Sequence, residues 1–240
     1  MTNAGGAEAA RLPAGDFSTW LGGTGRAIAG ASDADVPCGT CTACCTSSQF
    51  VHIGPDETDT LARIPKALLF PAPLLPRGHV LLGYDERGHC PMLVENQCSI
   101  YEHRPRTCRA YDCRVFPAAG LTLDDDESKG RIAAQVRRWD FGYPDDANRV
   151  EQEAVRAAAV FLDGRRDELP AGAVPTSATQ LAVLAIEVHG VFLQRENQTG
   201  RQVVVDPHPE VVGAELLRRR GPPLANPKPT RRQAGRRPRV

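Results

Sequence analysis

Apolar residues recur at helical spacing in the C-terminal half of the chain. In DDANRVEQEAVRAAAVFLDG, Val150, Ala154, Ala157, Ala158 and Phe161 fall at i, i+4, i+7, i+8 and i+11. This spacing predicts a core helix with an aspartate start and Gly164 as its C-cap. In SATQLAVLAIEVHGVFLQ, Leu181, Leu184, Ala185, Val188 and Phe192 make a second stripe, opened by Ser177 and Gln180 at capping-box spacing. SKGRIAAQVRRW, Ser128 to Trp139, reads as a third helix. Asp56 to Leu69 starts with acidic residues suited to a helix N-terminus, and Pro65 limits it to a short helix or two turns. HVLLGYDERGHC, His79 to Cys90, reads as a short strand followed by a turn at Asp85 to Gly88, where Gly88 takes positive φ and the turn presents Cys90.

These elements predict a mainly α protein with an irregular, loop-rich cysteine core and a short β-hairpin, packed on several helices. Residues 1–35 show little periodicity and are expected to form a flexible arm from which Phe17, Trp20 and Leu21 dock onto the body. Residues 36–217 form the cysteine-bearing domain with its C-terminal helices, and 218–240 a disordered basic tail. The net charge is zero, yet nine basic residues and no acidic one fall from Arg218 to Val240. The tail is also proline-rich and cannot bury enough apolar surface to order itself. It is expected to act as a solubilising extension, with a salt-sensitive, sequence-independent attraction to nucleic acid or acidic lipid as the lesser reading.

No stretch approaches the roughly 18 apolar residues of a membrane span, and the N-terminus lacks the pattern of a secretory signal. The expected location is the cytoplasm, without membrane association. Cysteines are kept reduced there, which favours metal over a disulfide framework.

All eight cysteines lie in two groups: Cys38, Cys41, Cys44 and Cys45 in CGTCTACC, then Cys90, Cys98, Cys108 and Cys113. Two residues between cysteines let one turn aim both sulfurs at one centre, so Cys38, Cys41 and Cys44 can share a site. Cys45 differs, because adjacent residues project in diverging directions. It is expected to serve a second metal, or a second metal atom of one cluster. Eight thiolates match two zinc ions, two iron–sulfur clusters, or one of each. The run resembles the start of the bacterial ferredoxin motif, but its fourth Cys-Pro is replaced by Cys45-Thr46.

A four-thiolate centre carries about two negative charges, whose burial needs compensation. Arg87, Arg104, Arg106, Arg109 and Arg114 lie close in sequence to supply it, with a phosphate or nucleic-acid patch as the lesser reading. His89 and His103 are expected beside the centre rather than as ligands. His52, His79, His189 and His208 offer no ligand spacing. The acidic run Asp124 to Glu127 lacks the alternation of a calcium loop.

CGTCTACC followed by GHCPMLVENQCSIYEHRPRTCRAYDC resembles the YkgJ-like cysteine-cluster family, known by its CxxCxxCC signature and described as zinc- or iron-chelating. Cys90-Pro91-x-Leu93, Cys98-x-Ile100-Tyr101-Glu102, Arg104-Pro105 and Cys108-Arg109 follow the family's order. The resemblance covers about a third of the chain and implies a ligand set rather than a reaction. Metal ions are therefore the expected partners, as Zn2+ or an iron–sulfur cluster held by the eight cysteines. Arg104, Arg109 and Tyr101 are expected around the cofactor, Tyr101 packing over it. A protein partner is left open.

Flagellin lysine-N-methylase belongs to the same family, which implies a protein-modifying enzyme as the alternative to a structural or redox metal protein. No glycine-rich nucleotide-binding loop is read in the chain, and no catalytic residue is read from it. The pair Arg104-Pro105 is expected to be extended and to lead into a short helix carrying Cys108.

Overall fold

The computed structural model describes residues 10–220 apart from Asp35, Leu74 and 124–128. The acidic run Asp124 to Glu127, the first nine residues and the tail beyond Arg220 thus lie outside the described residues. In chain order the elements are β1 (Leu12–Asp16), α1 (Phe17–Ile28), β2 (Val51–Ile53), α2 (Thr58–Arg63), β3 (Leu69–Pro71), β4 (Val80–Leu82), β5 (Leu93–Val94), β6 (Gln97–Cys98), α3 (Arg106–Ala110), α4 (Val115–Ala119), α5 (Gly130–Val136), β7 (Trp139–Gly142), α6 (Asp146–Gly164), α7 (Ala178–Val188), β8 (Leu193–Arg195), β9 (Gln202–Val204) and α8 (Pro209–Arg220). Helix predominates, at 46% against 14% strand. The sheets are small: β1 with β7 in parallel, the antiparallel order β2-β4-β3, and the hairpins β5-β6 and β8-β9. One hairpin was expected, and the extra pairs arise because segments of two to five residues close turns around the thiols and the helices.

Two hydrophobic clusters of unequal size organise the chain. The larger joins α1, α4, α5, α6 and α7 around Phe17, Phe116, Leu162 and Phe192, all essentially without solvent contact. Each such side chain contributes about 1.5–3 kcal/mol through burial. The smaller contains only Ile53, Ile64, Leu82 and Ile100 at its centre, under the β2-β4-β3 sheet and α2.

The two predicted core helices are present with altered details. Asp145 caps α6, its carboxylate accepting the Asn148 amide at 3.1 Å. Gly164 is its last helical residue rather than a cap beyond it. The buried stripe of α6 also takes in Val155, Ala159 and Leu162, because α1, α4 and α7 all pack on it. Ser177 stands at the N-cap of α7, but its side chain makes no capping hydrogen bond. The third helix shortens to α5, since Trp139 enters β7 beside β1. Arg104 and Pro105 are extended and α3 begins directly after them.

The segment expected as a flexible arm carries two regular elements, β1 and α1, with Phe17 at 0%, Trp20 at 6% and Leu21 at 7% exposure. Its weak hydrophobic pattern hid a strand that pairs 127 positions downstream, Leu12 with Trp139. A buried ion pair locks this segment to the body. Asp112 accepts from Arg114 Nε at 3.0 Å and Nη2 at 2.9 Å, and from Trp20 Nε1 at 2.8 Å. Arg114 Nη1 reaches the Ala14 carbonyl at 3.0 Å. Residues 218–220, assigned to the tail, complete α8, where Arg218 and Arg219 bind Glu215.

Removing one member of the Asp112–Arg114 pair strands the other charge in the core. Arg114→Met should therefore lower unfolding free energy by about 3–5 kcal/mol, read from the urea midpoint. Combining it with Asp112→Asn should recover part of the loss.

Candidate metal centre

The octet lies on a tightly held turn. Cys38 and Cys41 flank a turn closed by the Cys41 amide on the Cys38 carbonyl at 2.8 Å. Cys44 and Cys45 sit together in a single 3-10 turn. Ser47 Oγ donates to the Ala43 carbonyl at 2.6 Å, and Thr46 Oγ1 to the Thr42 carbonyl at 3.0 Å. These bonds fix the direction in which the two adjacent sulfurs leave the chain.

A knuckle brings Cys90 to this turn. Asp85 accepts the amides of Arg87 at 2.9 Å and His89 at 2.8 Å. The His89 bond, ahead of the other contacts, holds its carboxyl below the usual range. Gly88 has the expected positive φ, +77°, and a Cβ there would meet Ser48 Oγ at 2.3 Å, so only glycine fits. The Ser48 amide bonds the Gly88 carbonyl at 2.9 Å, and the Cys90 amide bonds the Cys45 carbonyl at 2.7 Å. Cys98 follows on β6, after a hairpin turn in which Glu95 and Asn96 both have positive φ. Cys108 lies on α3, and Cys113 in the turn between α3 and α4.

The electrostatics sort these thiols differently from their order in sequence. Burial pushes the Cys44 thiol far up, and the next influence is Cys113, ahead of Cys38, of its own chain neighbour Cys45 and of Cys41. Cys45 is pushed up to about 11, by burial and then by Cys90 and Cys98. Cys108 is exposed as a residue, yet the protein around it, then Cys45, Cys90 and Cys98, push its thiol up to about 12. Cys113 reaches about 12 through burial, partly offset by Trp139, with Asp112, Cys38 and Cys41 adding to the rise. Cys38 and Cys90 are likewise raised, chiefly by burial.

The leading influences sort the thiols into two neighbourhoods, Cys38, Cys41, Cys44 and Cys113 in one and Cys45, Cys90, Cys98 and Cys108 in the other, with Cys45 also raised more weakly by Cys41 and Cys38. Packing divides the chain the same way. Cys113 and Cys41 belong with the large cluster, Cys90 and Cys98 with the small one. All eight thiols are free. Among the described residues, no three His, Cys, Asp or Glu side chains are drawn to the spacing of a bound metal ion. Charge is felt over several ångströms, whereas a tetrahedral thiolate site needs sulfurs about 3.8 Å apart. The thiols are thus grouped but not closed. The donor set, four sulfurs per group, fits a soft or borderline cation.

The arginines expected to compensate charge are mostly engaged elsewhere. Arg87 pairs with Asp85, Arg106 with Asp56 at 2.5 Å, and Arg109 with Asp33 at 3.5 Å. Arg104 pairs with no carboxylate among the described residues. Its guanidinium lies 4.0 Å from the Tyr101 ring centroid, and it favours the thiolates of both Cys38 and Cys108. Tyr101 is 54% exposed. Arg104, Arg106 and Arg109 line a polar cleft of about 230 Å³ with Asp56, Glu57 and Glu102. His103 borders the same cleft, while the described contact of His89 is through its backbone.

Two neighbours of the thiols were missed. Trp139 Nε1 donates to Cys113 Sγ at 3.1 Å. Tyr111 is pushed well above its usual range by burial, then by Cys44 and Cys113. Tyr111 stands two residues before Cys113, a signal that could have been read, whereas nothing in the sequence marks Trp139.

A chain that gathers eight free thiols into two groups of four has the donor chemistry of a cysteine-cluster metal chelator. Residues 37–130, less than half of the chain, match the family model CxxCxxCC, described as "Putative zinc- or iron-chelating domain". The matched span contains all eight cysteines. No curated protein and no solved structure matches the chain. No described helix is long and apolar enough to cross a membrane.

In folded protein stripped of metal, the raised thiols should remain protonated at pH 8. Cys45 and Cys113 should then react with iodoacetamide more slowly than a free thiol of ordinary pKa, about 8.5. Their rates should keep rising past pH 9, where an exposed thiol has levelled off, as followed by peptide mass mapping. Because neutral thiols are favoured on folding, the stability of the metal-free protein should be intact below about pH 8.5 and decline as pH climbs toward 11 and 12.

Proposed function

We propose that this is a cytoplasmic metal-binding protein with two separate four-cysteine centres, one at Cys38, Cys41, Cys44 and Cys113, the other at Cys45, Cys90, Cys98 and Cys108. Their main task is to fasten the small sheet to the helical body. The observation that carries this reading is the split at Cys44 and Cys45: adjacent thiols whose strongest cysteine influences differ, Cys113 for Cys44 and Cys90 for Cys45, with Cys113 packed on the large hydrophobic cluster and Cys90 on the small one. A cluster centred on four aliphatic residues is too small to hold a sheet of three-residue strands alone. Bound zinc or iron would supply folding energy at that junction.

The chain's own groups prepare both sites. The knuckle and the 3-10 turn set the directions of Cys90, Cys44 and Cys45, and Arg104 offsets charge on both sides. Trp139 donates its N–H to Cys113 and so stabilises the thiolate form. That hydrogen bond supports a second reading, an electron-transferring iron–sulfur centre, because donors to sulfur raise a cluster's potential. The methyltransferase-related alternative gains no supporting geometry, since Gly22, Gly23 and Gly25 lie inside α1 rather than in a phosphate-cradling loop.

The test is metal and acid-labile sulfide analysis of anaerobically purified protein. Wild type should hold two equivalent centres per chain. Cys113→Ser should lose one and keep the other, Cys98→Ser should do the reverse, and the double variant should lose both. Loss of all metal from either single variant would mean one shared centre. Zinc without sulfide supports the fastening role, and iron with sulfide the redox one.

A further inference from the structure

His52 and His79 stand 27 positions apart in the chain, and the fold brings their rings together, His52 Nε2 lying 2.9 Å from His79 Nδ1. The ring centroids are 5.1 Å apart and the ring planes differ by 13°. So short a contact between centroids that far apart places both nitrogens on the line between the rings, edge to edge and nearly coplanar. One ring therefore donates its N–H along that line and the other accepts it with a lone pair.

The backbone prepares this contact. His52 is the middle residue of β2, and its neighbours Val51 and Ile53 turn inward to the small hydrophobic cluster. Leu81 is its partner on β4, with Val80 and Leu82 inward, so His79 comes up on the outer face diagonally from His52. The turn before it is held by the His79 amide on the Pro76 carbonyl at 3.3 Å and by the Ala72 amide on the His79 carbonyl at 3.0 Å. Gly78 in that turn has φ +96°, and a Cβ there would meet Pro55 Cβ at 3.0 Å, so glycine lets the turn lie against the chain that leaves β2. On its other edge β2 is tied to α3, where Thr107 Oγ1 donates to the His52 carbonyl at 2.7 Å.

We propose that the His52–His79 pair is an acid-operated latch between β2 and the turn leading into β4, closed while the two facing nitrogens share one proton and open when each carries its own. Two neutral rings hold one N–H between those nitrogens, and a first added proton leaves that bond in place and makes it charge-assisted. A second added proton has only the facing lone pair left to occupy, so two N–H groups then point at each other and two like charges meet. In the unfolded chain each histidine takes up its proton near pH 6.5, roughly its ordinary value. The closed latch thus binds one proton fewer in acid, and closure is fully favourable above that pH and lost as pH falls below it. Charged side chains on the adjoining segments are Arg77 before the turn, Asp56 and Glu57 after β2, and Arg106 and Arg109 on α3, while β3 and β4 contribute none. Asp56 is held below the usual carboxylate range by Arg106 first, with His79 among the lesser causes. Glu57 accepts the Gly54 and Arg106 amides, and Arg109 pairs with Asp33. Carboxylates and guanidiniums ordinarily keep their charge between about pH 7.5 and 5.5, which leaves the two imidazoles as the groups that change.

The latch does not depend on how the thiols are filled. Its test is amide hydrogen exchange of the full metal-loaded chain, followed by NMR from about pH 7.5 to 5.5 and corrected for the intrinsic pH dependence of exchange. Protection of the β2 and β4 amides should fall by up to about tenfold per pH unit below about pH 6.5, the effect of one proton, while α6 stays protected. His79→Asn and His52→Gln each keep an uncharged hydrogen-bonding group near the same place. Either should flatten the pH dependence, with circular dichroism checking that the variant is folded. Metal content measured at each pH separates opening of the latch from acid release of metal. Wild-type protection that holds down to about pH 5.5, or a loss that persists in both variants and follows metal release, would overturn the assignment.

Discussion

Two side chains on adjacent residues cannot easily serve one small centre, and the rest of the cysteine region follows from that constraint. Cys44 and Cys45 share one short turn whose exit directions are fixed by hydrogen bonds from Thr46 and Ser47. Among the other thiols, Cys44 feels Cys113 most strongly, and Cys45 feels Cys90. One peptide unit is thus the junction between the helical body and the small sheet. The knuckle at Asp85 to Cys90 has to approach closely enough for the Cys90 amide to bond the Cys45 carbonyl, which explains the need for Gly88 against Ser48.

On the other side of the junction, Cys113 sits in the turn between α3 and α4 and is buried there. Its chain neighbours Asp112 and Arg114 form the buried pair that also engages Trp20 and the Ala14 carbonyl. Such a pair adds little net stability compared with apolar packing, but it is costly to break and therefore specifies one arrangement. The N-terminal strand and helix, Trp139 and Cys113 are ordered together.

The sequence disclosed elements whose signal is local. Capping by Asp145, the helix cut short by Pro65, positive φ at Gly88 and the extended Arg104-Pro105 all depend on residues within a few positions, and all are present. The separate role proposed for Cys45 draws on adjacency alone. The exchange of partners, with Cys113 joining the first group, could not be anticipated, because it depends on a chain reversal spanning dozens of residues. The order of β1 and α1 was hidden for the same reason: β1 is a short strand whose partner lies 127 positions away. Arginines near cysteines in sequence suggested compensation; four of the five pair with carboxylates, while Arg114 and Arg104 also favour the Cys38 thiolate.

The two proposed centres are concentric along the chain, and this has an energetic consequence. The inner set spans Cys45 to Cys108, and the outer set Cys38 to Cys113. Closing either loop first costs nearly the same entropy, since their lengths of 63 and 75 positions differ by only about 0.2 kcal/mol on a logarithmic scale. Once the inner loop is closed, however, the outer one needs only the 7 positions before Cys45 and the 5 after Cys108, about 12 in place of 75. That lowers its closure cost by about 1.6 kcal/mol, more than a factor of ten in affinity. Linkage makes the gain mutual, so either centre assists the other. In the proposed arrangement adjacent cysteines would do more than divide the ligands between two sites: they would couple the sites through the chain's own entropy, without any contact between the metals.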